Sequence, residues 1–259
     1  MSDTAYFVRS GPGRYRATPA TGGAWTVAEQ HISPLNGLLV DELQRAVPAD
    51  DGLVLARIGL DILGPVGVDE VEVATAVVRP GRTVQLVEAE ASWRGRAVLR
   101  ARAWRTVRGD TAAVAGGAPP AMPGPAEATP IDLREIWPGG YIASIEARAV
   151  EPPRPGRGRV WIRTPLPLVA DREPDPVARI VGLVDTANGI AVRRSPEEWA
   201  FPNVDLTIHL LREPRGPWLG LDTTVAFGAT GLGITSSVLH DEDGPFGRAA
   251  QQLTLRPRV

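Results

Sequence analysis

The spacing of apolar positions divides the first half of the chain into one helix and a series of strands. Apolar residues recur at helical spacing from Ser33-Pro34 to Val47, which predicts a helix over that segment. Runs rich in Val, Leu, Ala and Thr follow it, and turns containing Gly or Pro separate them. The strands predicted in this half are Leu53–Leu63, Val71–Val78, Thr83–Trp93 and Ala97–Val107, with an earlier strand-like stretch at Phe7–Thr18.

The second half follows the same plan. Asp175-Pro176 begins a predicted helix that runs to Val192, because Asp is a favourable N-cap and Pro suits the first helical turn. Apolar residues cover most of its circumference, which predicts a buried helix. The strands predicted here are Tyr141–Ala149, Arg159–Arg163, Val204–Arg212, Trp218–Phe227, Gly231–His240 and Gly247–Arg256. Short turns require antiparallel neighbours, so each half is predicted to be a buried helix wrapped by a curved antiparallel sheet.

The likeness of the two halves can be expressed as one ungapped offset of 149 residues. At that offset Asn36 corresponds to Asp185, and Arg102 corresponds to Gln251. The offset therefore predicts that the second half carries a carboxylate where the first half carries an amide. It also aligns four identical pairs, which are Pro65 with Pro214, Thr75 with Thr224, Gly95 with Gly244 and Ala101 with Ala250.

A segment dominated by Ala, Gly and Pro lies between the halves. Gly109–Pro130 has neither helical nor strand periodicity, which is typical of a linker. A long surface loop within one domain is the alternative, although such loops are uncommon in compact domains. The predicted organisation is an N-terminal domain over 1–108, a linker over 109–135 and a C-terminal domain over 136–259.

Composition narrows the classes of function. The net charge of −2 gives no reason to expect a nucleic-acid partner, and the absence of cysteine excludes disulfides and thiolate chemistry. Three scattered histidines, His31, His209 and His240, have no ligand spacing, so no metal site is predicted. Met1–Arg16 lacks the apolar stretch of a signal peptide, and no run approaches the roughly 18 apolar residues of a membrane span. A cytoplasmic protein is expected.

Asp185 is the strongest candidate for chemistry. Its neighbours in the helical pattern are apolar, so burial of its carboxylate costs several kcal/mol, of order 2–7, unless the group is hydrogen-bonded or neutral. Burial also raises a carboxyl pKa toward the range useful for a general base. The alternative is a structural role, in which the carboxylate bonds a backbone group beside Gly182 or Gly189.

The alternation of side chains along a strand predicts which way three further polar residues point. Gln251 shares its face with Ala249 and Leu253, so it is predicted to point into the core, where its amide needs a partner. That partner is a bound water, Asp185, or a structural group on the helix. Thr207 lies on a polar face with Asn203, which is either a cleft wall or a solvated strand face.

These elements and residues resemble the double hotdog acyl-CoA thioesterases of the type II (medium- and long-chain) group over nearly the whole chain. The family's helix Asp is matched by Asp185 in Gly182–Asn188, and its final-strand Gln by Gln251. Asn203 stands where the family has a catalytic Thr, and Thr207 is the nearest hydroxyl. The resemblance implies an α+β tandem hotdog fold, and a site in which these side chains hold and activate the water that hydrolyses a thioester.

The sequence is compatible with three functions. Hydrolysis of an acyl-CoA, without a cofactor, is the leading prediction, with Asp185 as base and the amides of Gln251 and Asn203 orienting water. Enoyl-CoA hydration is a weaker alternative, because hotdog hydratases pair Asp with a nearby His and the stretch Asp171–Pro176 has none. A non-catalytic acyl- or CoA-binding protein is the third, and its support is that Asn203 replaces the catalytic Thr of the family.

The resemblance also implies the partners. Acyl-CoA is the expected small-molecule partner, and an exposed basic patch is expected to bind its phosphates. The two halves are expected to pair within one chain, and further copies could associate through exposed sheet faces. Candidate arginines for the phosphate patch are Arg193, Arg194, Arg212 and Arg215.

Overall fold

The computed structural model describes residues 5–48 and 51–258. Its first half contains one long helix and six strands, close to the predicted segments. The Phe7–Thr18 stretch is a hairpin rather than a single strand, because Gly13 turns the chain with a φ of 64°. The elements are β1 (Phe7–Gly11), β2 (Arg14–Ala17), α1 (Ile32–Arg45), β3 (Leu53–Ile62), β4 (Glu70–Arg79), β5 (Val84–Trp93) and β6 (Arg96–Val107).

The second half has the same architecture with more short elements. Its early elements are β7 (Thr129–Ile131), α2 (Gly140–Ala143), β8 (Glu146–Ala149), β9 (Arg157–Arg163), α3 (Pro176–Val184) and α4 (Ala187–Ile190). Its later elements are β10 (Trp199–Ala200), β11 (Asp205–Leu210), β12 (Leu219–Phe227), β13 (Leu232–Asp241), β14 (Gly244–Thr254) and β15 (Arg256–Pro257). The start of the predicted strand at Tyr141 is helical, and the single helix predicted to Val192 is broken after Val184.

One continuous antiparallel sheet joins the halves. Its order is β1-β2-β4-β5-β6-β3-β11-β14-β13-β12-β9-β8-β7, and the halves meet where β3 pairs with β11. At that seam Ile58 lies opposite Ile208 and Asp61 opposite Asp205. The buried apolar residues of both halves form one main core around the helices. The halves therefore share a core and an edge-to-edge seam within a single chain.

The two long helices cross in close contact. A Cβ on Gly37 of α1 would lie 3.0 Å from Cα of Gly182 in α3, so only glycine permits this approach. Asp185 lies three residues beyond that crossing, whereas Asn36 lies one residue before it. The predicted correspondence of Asn36 with Asp185 is therefore wrong, because the crossing sets a different register between the helices.

The predicted correspondence of Arg102 with Gln251 is also wrong. Arg102 is half-exposed and pairs with Glu88 at 3.1 Å, whereas Gln251 is buried. A shift of one residue moves a strand side chain to the other face. Bulges interrupt the pairing of β3 with β6 and of β13 with β14, so a single ungapped offset cannot hold across the sheet.

Part of the predicted linker is ordered against the second half. Met122 packs in a small cluster with Trp161 and Trp218, and the indole N–H of Trp161 donates to the carbonyl of Pro123 at 2.8 Å. Strand β7 also lies within the 109–135 segment and pairs with β8. The domain boundaries at 108 and 136 stay a prediction. Across the described part of the chain, no helix has the length and apolar character needed to cross a membrane.

Candidate active site

Asp185 lies where the second long helix stops. It is the C-cap residue of α3, and the chain turns there before α4 begins at Ala187. Apolar side chains of α3, among them Val181 and Val184, are buried in the core and fix the end of the helix. The Asp185 residue is only 6% exposed. A carboxyl group is thus held in an apolar environment at the end of a rigid element.

Two amides donate to the same carboxylate oxygen. Nδ2 of Asn203 lies 2.7 Å from Oδ1 of Asp185, and Nε2 of Gln251 lies 2.9 Å from that atom. The parity prediction for Gln251 is confirmed, since β14 turns Ala249, Gln251 and Leu253 inward. Asn203 precedes β11 and pairs with Leu253 of β14, so its side chain turns toward the helix. The structure therefore brings three of the four predicted site residues together.

The electrostatics of Asp185 favour a base that works near neutral pH. The pKa of Asp185 is raised to about 6, chiefly by burial and to a smaller extent by the negative charge of Asp205. The hydrogen bonds from Asn203 and Gln251 act in the opposite direction, because they stabilise the ionised form. Oδ2 of Asp185 bonds no residue in the described part of the chain. That oxygen is available to accept a proton.

A cleft between the halves leads to Asp185. It has a volume of about 490 Å³, and the first half contributes the segments 23–32 and 62–66 to its wall. The second half contributes Asp185, Pro202, Asn203 and Arg256. The site is therefore composite, with the carboxylate on one half and much of the opposite wall on the other.

A smaller pocket, called the inner pocket, adjoins the cleft at Asp185. It measures about 40 Å³ and is lined by Leu133, Trp137 and Ile142 together with Trp25. Trp25 packs edge-on against Trp137 at 5.0 Å and against Phe201 at 5.1 Å. The indole N–H of Trp137 donates to the carbonyl of Gly189 at 3.0 Å, which fixes the ring. Trp25 and Trp137 therefore form part of the wall of this pocket.

His31 also belongs to this site, although its only notable feature in the sequence is its place before a helix. It is the N-cap of α1 and lines both the cleft and the inner pocket. Its Nδ1 accepts a hydrogen bond from the backbone N–H of Ser33 at 3.2 Å. Its ring stacks on Tyr141 at 4.2 Å, and burial lowers the pKa of His31 to about 3. The imidazole is therefore neutral, with its proton on Nε2.

Thr207 does not join the site, and that part of the prediction is wrong. In β11 the side chains of Leu206 and Ile208 point into the core, so Thr207 points away from it. It lines a shallow groove on the outer face of the sheet with His209. The polar face predicted from the sequence is therefore the outer face of the strand. Asn203 does not lie on that face, because it precedes the first residue of β11.

The predicted phosphate arginines lie elsewhere too. Arg212 pairs with the buried carboxylate of Asp241, and Arg215 pairs with Asp243. Neither these two nor Arg193 and Arg194 line the cleft, whose rim carries Arg256 instead. Within the described residues there is no group of three or more His, Asp or Glu side chains that could hold a metal ion.

Comparison with protein families identifies both halves of the chain. A model of the acyl-CoA thioesterase N-terminal domain matches residues 21–106, and a model of the acyl-CoA thioesterase C-terminal domain matches residues 116–255. Together the two matches include every residue described at the site except Arg256. A search of curated proteins found no match.

Solved structures share the fold over the whole chain. A hot dog fold protein of unknown function from Alicyclobacillus acidocaldarius is 14% identical, with a TM-score of 0.76 and coverage of 99% of this chain and 98% of that one. The acyl-CoA thioesterase II TesB2 from Mycobacterium marinum is 15% identical, with a TM-score of 0.69 and coverage of 98% and 95%. The predicted α+β tandem hotdog fold is confirmed.

Proposed function

Because this chain belongs to the acyl-CoA thioesterase family, we propose that it hydrolyses acyl-CoA thioesters with Asp185 as the general base. Family membership supports thioester hydrolysis. The observation that carries the mechanism is the convergence of two amide donors on Oδ1 of Asp185, which leaves Oδ2 facing a cleft. A buried carboxylate held in this way is oriented to take a proton from a water molecule.

The proposed reaction has two bond changes at the thioester carbonyl carbon. Water attacks that carbon while Oδ2 of Asp185 accepts one of its protons, which gives a tetrahedral intermediate. The C–S bond then breaks and the electron pair leaves with sulfur. The proton held by Asp185 passes to the thiolate or to solvent, so the products are a free acid and CoA. A base with a pKa near 6 is largely ionised at neutral pH, as this step requires.

The shape of the site suggests how the substrate lies. The inner pocket has the apolar side chains of Leu133, Trp137 and Ile142 in its wall, so we place the acyl group there. The outer cleft has polar residues such as Glu29 and Gln30 on its wall and Arg256 at its rim, which suits the pantetheine and phosphate parts of CoA. About 40 Å³ has room for roughly three water-sized groups at about 10–15 Å³ each. The proposed substrates therefore carry short acyl groups.

Enoyl-CoA hydration is the second candidate, because the cleft does contain a histidine near Asp185. A hydratase of that type needs a second group that can take a proton. His31 cannot take one at Nε2, since Nδ1 already accepts from Ser33 and the single proton of the neutral ring lies on Nε2. The local geometry therefore favours hydrolysis.

A panel of acyl-CoA esters from acetyl- to dodecanoyl-CoA tests the proposal. We expect release of free CoA and of the matching acid, fastest for the short esters. An absence of turnover across the panel would overturn the proposed function. Calorimetric titration of the same esters then separates the non-catalytic alternative, since a binding protein gives affinity without product.

A further inference from the structure

We propose that His31 is a second catalytic residue, whose Nε2–H donates a hydrogen bond to the thioester carbonyl oxygen as negative charge develops there. This inference rests on the proposed function, and it assigns to the first half of the chain a chemical role in that reaction. The base would come from one half and the electrophilic donor from the other.

The backbone fixes which ring nitrogen carries the proton. The N–H of Ser33 points at Nδ1 of His31 from 3.2 Å, so Nδ1 must be unprotonated. A neutral imidazole then has its hydrogen on Nε2. Nε2 bonds no residue in the described part of the chain, and the ring lines the cavity that also contains Asp185 and Asn203. His31 therefore presents one directed donor to the cavity.

The packing of the ring holds that donor in place. His31 stacks on Tyr141, with the ring planes inclined by 28°. The hydroxyl of Tyr141 lies 2.7 Å from the hydroxyl of Thr186, the residue after Asp185. The backbone N–H of His31 also donates to the carbonyl of Thr21 at 2.7 Å. A chain of contacts thus ties the position of the imidazole to the position of the carboxylate.

The electrostatic state of His31 fits this role. A neutral imidazole can polarise a carbonyl group, and it does not lose its proton as the reaction proceeds. A fixed donor in a partly closed site stabilises the charge that forms in the transition state more than it stabilises the ground state. The bond to the carbonyl oxygen transfers no proton, so it leaves the balance of the hydrolysis unchanged.

Two substitutions separate this role from the capping role. His31→Asn keeps an oxygen that can accept from the Ser33 N–H, and Asn is among the best N-cap residues. It lacks a donor at the place of Nε2. His31→Gln gives up the cap but can extend an amide N–H to about that place. We expect His31→Asn to melt within a few degrees of wild type but to lower kcat for butyryl-CoA by about 10²–10³-fold. The kcat of His31→Gln should be at least about tenfold higher than that of His31→Asn.

A second measurement does not depend on turnover. Infrared spectroscopy of butyryl-CoA labelled with ¹³C at the carbonyl, bound to the Asp185→Asn variant, reports hydrogen bonding to the carbonyl oxygen directly. We expect a lower carbonyl stretching frequency than in free solution, and loss of that shift in the double variant with His31→Asn. An unchanged frequency in the double variant, or a kcat of His31→Asn within threefold of wild type, would overturn the role of His31.

The two proposals fail in different ways. If wild type releases no CoA but the infrared shift depends on His31, the hydrolysis proposal fails and the donor stands. If wild type is active and the shift is independent of His31, only the donor fails. If butyryl-CoA does not bind, both fail.

Discussion

Nδ2 of Asn203 and Nε2 of Gln251 donate to one and the same oxygen of Asp185, at 2.7 and 2.9 Å. This relationship fixes the carboxylate plane and directs the other oxygen away from the amides. It also explains how an Asn can stand where the resemblance led us to expect a Thr. An amide N–H and a hydroxyl are both donors, so either side chain can hold Oδ1.

The rate of hydrolysis should depend on a single ionisation near pH 6. Asp185 must be ionised to accept a proton, and burial raises its pKa to about 6. We therefore expect kcat/KM to rise with pH through about 6 and to level off above it. Chromatographic measurement of CoA release from pH 4.5 to 8.5 provides the profile. A rate that is flat across this range would exclude Asp185 as the titrating base.

Asn203→Ala should move that profile. Its hydrogen bond lowers the pKa of Asp185, so its removal should shift the acidic limb to higher pH and lower kcat by about 10²-fold. Asn203→Thr restores a donor and should recover much of the activity. Thr207→Ala is the matched control, since Thr207 lies on the outer face of the sheet and should leave both rate and profile unchanged. If the acidic limb of the pH profile of Asn203→Ala coincides with that of wild type, Asp185 is not the group whose pKa Asn203 lowers.

Asp185→Asn should make the protein more stable at high pH. The folded carboxyl has a raised pKa, so between its ordinary value of 3.8 and about 6 the folded state binds more protons than the unfolded state. Stability then falls as pH rises through that window, by up to about 3 kcal/mol at about 1.4 kcal/mol per pKa unit. An Asn removes the charge and keeps an oxygen for both amides. Urea denaturation should give a gain of up to about 3 kcal/mol at pH 8 and nearly none at pH 4; equal differences at both pH values would contradict it.

Trp25→Ala should lengthen the preferred acyl chain. Trp25 lines the inner pocket and packs against Trp137 and Phe201, so its removal opens space at the end of the pocket. We expect kcat/KM for octanoyl-CoA to rise relative to butyryl-CoA by at least about tenfold, because each buried CH₂ contributes about 0.8 kcal/mol. Trp93→Ala, which changes a Trp that lines neither part of the site, is the control. If the ratio of kcat/KM for octanoyl-CoA to that for butyryl-CoA is unchanged in Trp25→Ala, the acyl group does not bind in the inner pocket.

The fold was largely predictable because the apolar periodicity is strong. The first long helix and most strands lie within a few residues of the predicted segments, and the second long helix begins where it was predicted but ends at Val184. Gln251 was predictable from parity alone, and Asp185 from the apolar residues around it. The position of Thr207 was not predictable in this way. The alternation of polar and apolar residues separates the two faces of a strand, but it does not say which face packs against the helix. Asn203 could not be placed by parity, since it lies outside the regular strand.

The rest of the site depends on contacts that no local pattern contains. His31 reaches the cavity from the other half of the chain, through the approach of α1 to α3 at Gly37 and Gly182. The register between the halves depends on that crossing and on bulges in the sheet, so the ungapped repeat gave wrong equivalents for Asp185 and Gln251.

The kcat of Asp185→Asn for the best acyl-CoA substrate at pH 8 shows whether Asp185 is the base that activates water. The variant keeps the shape and hydrogen bonds of the site and should be at least as stable as wild type, so a loss of rate cannot come from unfolding. We expect kcat to fall by about 10²–10⁴-fold, as for removal of a general base. A folded Asp185→Asn variant that hydrolyses the substrate at the wild-type rate would contradict it.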